Sequence, residues 1–541
     1  MFFLRLIKNY YLRSSIYNYY LLKNTTKEIS FTPIDAWPGN PDLGDKIVQG
    51  YYNFTGQKSY SSDKTIWHIN EKESDWFSEA HSFSWLRHLK ARSGHLARKH
   101  SKFLILEWIK RYENWHPKTW EVEILSRRVS AWISNIDFLL AEKEEEFSNI
   151  FKKNLFKQIK HLHLNANNRY FVSLSKKLCY EVSAIKKIKV LKGLILSSIC
   201  FDQEQNKFKK FLKLLELELK DNFNSEGLHA SRSPSIQLAI LGDLVTIREA
   251  INSKQEKVSE NLNVTIKKAS HSLRFFRTLS GELAIFNGSK EEKKILIDKI
   301  LHVADGKSRG KGPASLTQSG FEKLMGKQTT VFVDTFKNYK GLLAKAPHAI
   351  QINVGGTKLL GSCGTVYKKN KQWRKSLLSA AAHSALVIEN TSPYSGLAKK
   401  SHRQATSKRF QKNGCEILHL VHYGYENFFS AVCSRTIELE NTGKNIAVLD
   451  QIFSDKLLNF DIRLHLNPKV KVSLSLDKRK VIIILSDQGW IFNYEGNYNI
   501  SLEPSIFASD NGVIHETNQI ILKGETLQEN TQILWGINKD N

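Results

Sequence analysis

The sequence predicts an α+β protein with more than one domain, in which an all-helical N-terminal half precedes an antiparallel β-sandwich. Apolar residues recur at helical spacing from Trp76 to about Ile300, and short runs typical of β-strands fill the chain after Gly320. A stretch that contains glycines and a proline separates the two patterns. With 541 residues, of which 41% are hydrophobic, the chain is long enough for two large domains with separate cores.

The helical half is predicted from apolar side chains at three- and four-residue spacing, as in residues 103–109 and 129–133. Charged runs at residues 142–146 and 207–213 fit exposed helix faces and need no functional explanation. We therefore expect an N-terminal extension at residues 1–45 and a helical domain at residues 46–301.

The change of pattern lies at residues 302–320, which we interpret as a linker because Gly and Pro interrupt regular structure there. Many short β-type runs follow without a long helix between them, which is typical of an antiparallel sandwich at residues 321–541. The runs are residues 329–334, 349–354, 386–389, 416–421, 434–440, 470–476, 480–485 and 489–494.

The chain is strongly basic, with 80 Lys and Arg against 53 acidic residues and a net charge of +27. This charge implies an acidic partner, and it leaves a polyanionic glycan, a nucleic acid and an anionic lipid surface as alternatives. Residues 368–412 hold eleven Lys or Arg and one acid, Glu389. This basic segment is the best candidate for a surface that faces a polyanion, and an ordinary soluble loop is the alternative.

The cysteines indicate neither a disulfide framework nor a zinc ribbon, and the N-terminus does not support standard secretion. The five cysteines are odd in number, widely spaced and without a Cys-x-x-Cys pair, so free thiols are expected. Arg5, Lys8 and Arg13 interrupt any signal-type apolar core, and no run approaches the length of a transmembrane segment. An amphipathic helix on a membrane surface is the alternative that the first twenty residues leave open.

The most informative local feature is the turn at residues 224–235. Gly227 permits backbone angles closed to other residues, Pro234 suits a first helical turn, and apolar residues then repeat at helical spacing from Gln237. His229 and Arg232 therefore lie near a helix N-terminus, where a carboxylate or sulfate is favoured. The alternative is a capping turn with a solvated arginine.

Two motifs carry a family resemblance: Glu226-Gly227-x-His229-x-Ser231-Arg232-x-Pro234, and the segment that runs from Trp373 through Ala380-Ala381-Ala382-His383 to Leu386. Together with the helical half, the linker and the β-rich half, they resemble the heparinase II/III-type polysaccharide lyases of bacteria. Supporting matches lie at residues 83–87, 319–324, 422–425 and 463–468, and the resemblance covers the chain from about Asp45 to its end.

This resemblance implies an incomplete (α/α) toroid followed by a β-sandwich, and a lyase that cleaves an acidic, uronate-containing polysaccharide such as a glycosaminoglycan, sulfated or not, by β-elimination. It also implies a periplasmic or cell-envelope location, although the sequence shows no clear signal peptide. The expected catalytic residues are His229, Arg232 and His383. The expected substrate-binding residues are Lys186, Ser231, Trp373, Arg374 and His422.

The chain also departs from the family pattern. Ile236 stands where the family has a catalytic Tyr, residues 185–187 replace an Asn–His pair, and Ala381 and Cys433 replace histidines. A non-catalytic protein that binds an acidic glycan is therefore the alternative function. No metal ligand is assigned, although a zinc or calcium ion is left open because His383, His422, His465 and Cys433 are suitable zinc ligands. Nucleic acid is not the expected partner, because no zinc finger, ribonucleoprotein-type motif or recognition helix is found.

Overall fold

The computed structural model describes residues 2–540, except residues 24–28, 64, 70–73, 143, 168–169, 172–179, 202–204, 337–344, 366–370, 395–402, 487, 510–512 and 528. The chain divides into two compact units. The helical unit comprises Met1–Asn222, Ala239–Lys267 and Asp298–Ser308, and the sandwich unit comprises Phe223–Leu238, Lys268–Ile297 and Arg309–Asn541. Two segments of the predicted helical domain therefore belong with the sheets.

The helices of the first half follow the predicted spacing. They are α1 (Phe2–Arg13), α2 (Ser15–Leu22), α3 (Pro41–Val48), α4 (Ser74–Ser82), α5 (Leu86–Arg92), α6 (Gly94–Tyr112), α7 (Val122–Ile133), α8 (Ile136–Leu139), α9 (Glu145–Asn165), α10 (Tyr180–Ile199), α11 (Gln205–Asn222), α12 (Pro234–Ser253), α13 (Glu260–Phe275) and α14 (Lys294–Asp305). A hairpin of β1 (Tyr51–Phe54) and β2 (Gln57–Tyr60), which the sequence did not predict, follows α3.

Aromatic residues from different segments meet in the core of the helical unit. The rings of Trp108 on α6 and Trp132 on α7 are 5.7 Å apart, and both contact Phe83. Arg128 is buried among them, with its guanidinium 4.2 Å from the Trp108 ring. Its Nη1 donates hydrogen bonds to two backbone carbonyls and its Nε to a glutamine side chain, which offsets part of the cost of burying the charge.

Antiparallel strands build the sandwich unit. They are β3 (Ser315–Leu316), β4 (Phe321–Met325), β5 (Thr329–Asp334), β6 (Ile350–Val354), β7 (Thr357–Gly361), β8 (Leu386–Ile388), β9 (Thr406–Lys412), β10 (Cys415–Tyr425), β11 (Ala431–Glu440), β12 (Asn445–Ser454), β13 (Asn459–Leu466), β14 (Lys471–Leu474), β15 (Lys480–Leu485), β16 (Gln488–Tyr494), β17 (Asn499–Ala508), β18 (Ile514–Glu525) and β19 (Glu529–Lys539).

These strands form two sheets. One has the order β14-β15-β16-β19-β12-β11-β10-β9, and the other has the order β17-β18-β13-β7-β6-β5-β4-β3, with β8 paired to β13. Strand β15 alternates strictly, since Val481, Ile483 and Leu485 are buried between exposed neighbours. This alternation places one apolar face of the sheet in the core.

The structure agrees with the predicted fold class and corrects several boundaries. Helix α14 continues to Asp305 and β3 begins at Ser315, so the connection is residues 306–314 and not the whole of residues 302–320. Residues 1–45 contain α1, α2 and the start of α3 and are part of the helical unit. The strands of the sandwich unit that were not predicted are β3, β4, β7, β9, β12, β13 and β17 to β19.

Candidate functional site

The turn before α12 is held by hydrogen bonds within the sandwich unit. The Asn224 side-chain oxygen accepts the backbone N–H groups of Glu226, at 3.1 Å, and Leu228, at 3.0 Å. Gly227 has φ +79°, and a Cβ at this position would lie 2.4 Å from the carbonyl carbon of Lys268. The close approach and the positive φ explain the glycine. Pro234 is the first residue of α12, as predicted.

His229 lies in this turn, is 1% exposed and packs against the Phe223 ring. Burial lowers the pKa of His229 to about 3, so its imidazole is neutral at pH 7. The backbone N–H of Ser231 donates to Nδ1 at 3.1 Å, so the proton of the neutral ring is on Nε2. That Nε2 has no hydrogen-bond partner among the residues that the structure describes. His229 thus holds a buried N–H donor that no described group accepts.

Arg232 is buried and anchors the turn to the sheets. Its Nε donates to the Ser319 carbonyl at 2.7 Å, and its Nη2 donates to the Gly320 carbonyl at 2.8 Å and to Oδ1 of Asp334 at 2.5 Å. The guanidinium lies 4.4 Å from the centre of the Phe321 ring. The backbone φ angle of Arg232 is +55°, an uncommon value for an arginine. The guanidinium is therefore not solvated, and its hydrogen bonds connect the turn to the β-sheets.

Ser231, a predicted substrate-binding residue, is fully buried, and its hydroxyl lies 2.9 Å from Nδ1 of His229. It also accepts the backbone N–H of Ser233 at 3.3 Å. In this arrangement the Ser231 hydroxyl orients the His229 ring.

His383 follows a short 3₁₀ turn, Ala380–Ala382, and is buried. Its Nδ1 lies 2.7 Å from the Ser362 hydroxyl, and its Nε2 has no hydrogen-bond partner within the described part of the chain. Burial lowers the pKa of His383 to about 3, and the neighbouring His465 contributes. Because a hydroxyl can donate or accept, either tautomer of His383 fits this contact.

His465 is fully engaged beside it. Its Nε2 donates to the Ala381 carbonyl at 2.8 Å, so its Nδ1 accepts the hydroxyl proton of Ser505, also at 2.8 Å.

His422 is buried in β10, opposite Cys433 of β11. Its ring centre is 4.6 Å from that of His348, and burial lowers the pKa of His422 to about 3. The backbone N–H of Gly424 donates to its Nδ1 at 3.2 Å, so its proton is on Nε2. Burial and this contact are typical of a core histidine.

The sequence left open a zinc site formed by His383, His422, His465 and Cys433. Within the described residues, no group of three or more His, Cys, Asp or Glu side chains comes together as a metal site. Both ring nitrogens of His465 are engaged by protein groups, and burial raises the pKa of the Cys433 thiol, which favours its protonated form.

A charged cluster, which we call the α10 cluster, lies in the helical unit. It consists of Lys186 and Lys189 of α10, Glu123 and Arg127 of α7, and Glu79 of α4. Lys186 forms an ion pair with Glu123, and Arg127 forms one with Glu79. Burial raises the pKa of Glu123, but the charges of Lys189 and Lys186 outweigh it, and the pKa lies below its usual value. Both carboxylates are therefore ionised at pH 7.

Lys189 has no hydrogen bond or ion pair to any side chain that the structure describes. Burial and the charge of Arg127 lower its pKa, whereas Glu123, Asp243 and Glu79 act in the opposite direction. Tyr170 belongs to the same environment, since burial and then the charge of Glu123 raise the pKa of its phenol. The phenol therefore stays protonated at neutral pH.

The remaining predicted residues lie in or near α15 (Lys371–Leu377). Trp373 is 39% exposed. Arg374 belongs to the same helix, and its side chain lies outside the described part of the structure, as do residues 366–370 and 395–402 of the basic segment.

Sequence reasoning selected Lys186 but missed the rest of the α10 cluster. Lys186 and Lys189 are three residues apart and therefore share a helix face, which is a signal that the sequence contained. Their carboxylate partners come from other helices, so no local pattern identified them. Asp334 ends a predicted strand, but nothing in the sequence indicated that it pairs with Arg232.

Comparisons with known proteins extend the description. Residues 308–536 match the family model described as Heparinase II/III-like, C-terminal. FtsZ-localized protein C from Caulobacter vibrioides (strain NA1000 / CB15N) is 25% identical over 542 residues, which cover 94% of this chain and 90% of that protein.

Two solved structures are similar over most of the chain. Heparinase III has a TM-score of 0.74 at 14% identity, with 96% of this chain and 89% of that chain covered. A heparan sulfate lyase HepC mutant from Pedobacter heparinus has a TM-score of 0.63 at 13% identity, with 96% and 87% covered. At these identities the likeness concerns the fold, and it confirms the expected helical toroid followed by a β-sandwich.

Proposed function

The chain belongs to the heparinase II/III-type family, and on this premise we propose that it binds a uronate-containing acidic polysaccharide and cleaves it by β-elimination. A base removes the proton at C5, that electron pair forms the C4–C5 double bond, and an acid protonates the departing oxygen as its bond to C4 breaks. A cation beside the carboxylate stabilises the developing negative charge. The names of the two similar structures support this substrate class.

The observation that carries the proposal is the charge of the α10 cluster. It holds three cations, Lys186, Lys189 and Arg127, against two carboxylates, Glu79 and Glu123. The neighbouring Asp243 is ion-paired with Lys192, so one positive charge remains in excess. Lys189 is the cation that pairs directly with no described side chain. A half-buried ammonium of this kind can bind a uronate carboxylate and favour the charged intermediate.

In the sandwich unit we assign roles to two neutral histidines. The Nε2–H of His229 can donate a hydrogen bond to a sugar oxygen and so stabilise the negative charge that develops on it. The Nε2 of His383 is a base when its Nδ1 donates to Ser362. Because burial lowers both pKa values to about 3, activity should show no histidine titration near pH 6.5.

The test is a screen of soluble uronate polymers for ultraviolet absorbance of the unsaturated product. We expect product from at least one polymer, a loss of about 100-fold in kcat/KM for Lys189→Gln, and a loss of two to four orders of magnitude, roughly, for His229→Ala. Lys210→Gln, a change of an exposed lysine on α11, is the matched control and should keep full activity. If His229→Ala keeps full turnover, His229 has no role in the reaction.

Binding without cleavage is the second candidate, and a specific observation favours it. Ile236 stands where the family has its catalytic Tyr, and Arg232 is engaged by internal contacts. In this case polymers bind in a salt-dependent manner, Lys189→Gln weakens the binding, and no polymer gives unsaturated product.

A third candidate rests on the relative that is named for its localisation with FtsZ. The similarity to that protein spans nearly all of both chains, so we also propose that this chain localises with FtsZ. Co-sedimentation of the purified chain with FtsZ polymers tests this proposal independently of any polysaccharide. Absence from the polymer pellet at micromolar concentrations of both proteins would contradict it.

A further inference from the structure

Helices α1 and α2 of the helical unit display large apolar and aromatic side chains to solvent. The exposed residues are Ile7, Tyr10 and Tyr11 in α1, and Ile16, Tyr19 and Tyr20 in α2. In each helix they follow the spacing i, i+3, i+4, so each set shares one helix face. Tyr10, Ile16 and Tyr19 are 81%, 74% and 71% exposed. We call these six residues the N-terminal aromatic face.

Contacts on the other side fix this display to the helical unit. Leu12, Tyr17 and Leu21 are buried. The Tyr17 hydroxyl lies 2.8 Å from Nδ1 of His161 in α9, and Lys160 of the same helix donates to the Tyr20 carbonyl at 2.6 Å. Helix α2 therefore packs on α9, and α1 packs on α2, while the exposed side chains of both helices face solvent.

The same segment is purely cationic. The first acidic residue of the sequence is Glu28, and the five cations Arg5, Lys8, Arg13, Lys23 and Lys27 precede it. Lys8, Arg13 and Lys23 are exposed beside the aromatic face. Apolar side chains bordered by positive charge complement a surface that is both hydrophobic and anionic.

We propose that the N-terminal aromatic face docks on an anionic lipid bilayer, with α1 and α2 lying in the plane of the interface. Four of its six side chains are tyrosines, which carry an apolar ring and a polar tip and favour the headgroup level. Ile7 and Ile16 enter the acyl boundary, while the cations contact lipid phosphates.

The lengths of the helices require the in-plane arrangement. Helices of 12 and 8 residues are about 18 and 12 Å long, well below the roughly 30 Å of a bilayer core. Among the described residues, no helix is long and apolar enough to cross a membrane. The proposal is independent of any lyase activity.

Co-sedimentation of the full chain with vesicles tests the proposal. We expect binding to vesicles of phosphatidylglycerol and phosphatidylcholine, weaker binding to pure phosphatidylcholine, and a loss of at least tenfold for Ile16→Asp combined with Tyr19→Asp. Since each cation near an anionic surface contributes about fivefold, Lys8→Gln with Arg13→Gln should lose roughly 25-fold, only with the anionic vesicles. Leu476→Asp, which changes a fully exposed leucine of the sandwich unit, is the matched control and should bind like the parent.

Two outcomes would overturn the proposal. One is equal binding of the parent and the Ile16→Asp, Tyr19→Asp variant to anionic vesicles. The other is a parent that ignores vesicles but forms a dimer that this variant breaks, because the face would then bind a second copy of the chain. Unchanged melting temperatures and circular dichroism spectra of the variants show that each result reports binding and not folding.

Discussion

Nη2 of Arg232 lies 2.5 Å from Oδ1 of Asp334, although 102 residues separate them in the sequence. This pair joins the turn before α12 to the end of β5, and both side chains are almost fully buried. Asn287 completes the arrangement, since its amide nitrogen donates to the Arg232 carbonyl at 3.2 Å. The turn that carries His229 is thus held by a contact distant in sequence.

Removing one member of this pair should strongly destabilise the sandwich unit. Arg232→Ala leaves a buried carboxylate without its cation, and we expect a loss of about 3 to 5 kcal/mol in the free energy of unfolding. The matched control is the exposed pair Lys523–Glu503, in which Lys523→Ala should cost less than about 1 kcal/mol. Denaturant titration measures both free energies of unfolding. If Arg232→Ala hardly changes the free energy of unfolding, the contacts of this guanidinium do not stabilise the sandwich unit.

Gly227→Ala should also be destabilising, by about 2 kcal/mol or more, because it combines a positive φ with a Cβ placed against the Lys268 backbone. Gly306 is the matched control, since it has a similar φ of +77° and no described atom within 4 Å of the added Cβ. Gly306→Ala should therefore cost only about 1 kcal/mol. Equal losses in thermal unfolding would mean that backbone strain alone explains Gly227.

The sequence predicted local features well and distant contacts poorly. The turn at Gly227 and the helix start at Pro234 were predictable because each depends on its own backbone. The role of Arg232 was not, because Asp334 reaches it through the fold. Strand β17 was not predicted because it contains Pro504, and a proline argues against a central strand. The proline is tolerated because β17 lies at the edge of its sheet. Strand β12 was a missed signal, because its residues alternate between buried and exposed.

Limited trypsin digestion should cut the connection between α14 and β3 without releasing two separate pieces. Lys307, Arg309 and Lys311 are exposed there. The N-terminal fragment keeps residues 223–238 and 268–297, which belong to the sandwich unit and include Arg232. The two fragments should therefore elute together in native gel filtration and separate only in denaturant. Separate elution under native conditions would contradict this division of the chain.

Acid should unfold the protein, because several histidines are buried in their neutral form. Burial lowers the pKa values of His229, His383 and His422 to about 3, whereas an unfolded histidine titrates near 6.5. The unfolded state thus binds more protons between these values. Stability is fully present above pH 6.5 and falls as the pH drops towards 3.

At pH 5 each of these histidines should cost about 2 kcal/mol relative to pH 8. Denaturant titrations at several pH values measure the slope. His383→Gln should lower that slope by about one proton, whatever its effect on stability at pH 8. A slope that His383→Gln does not alter would mean that His383 takes up its proton equally in the folded and unfolded states, contrary to its burial beside Ser362.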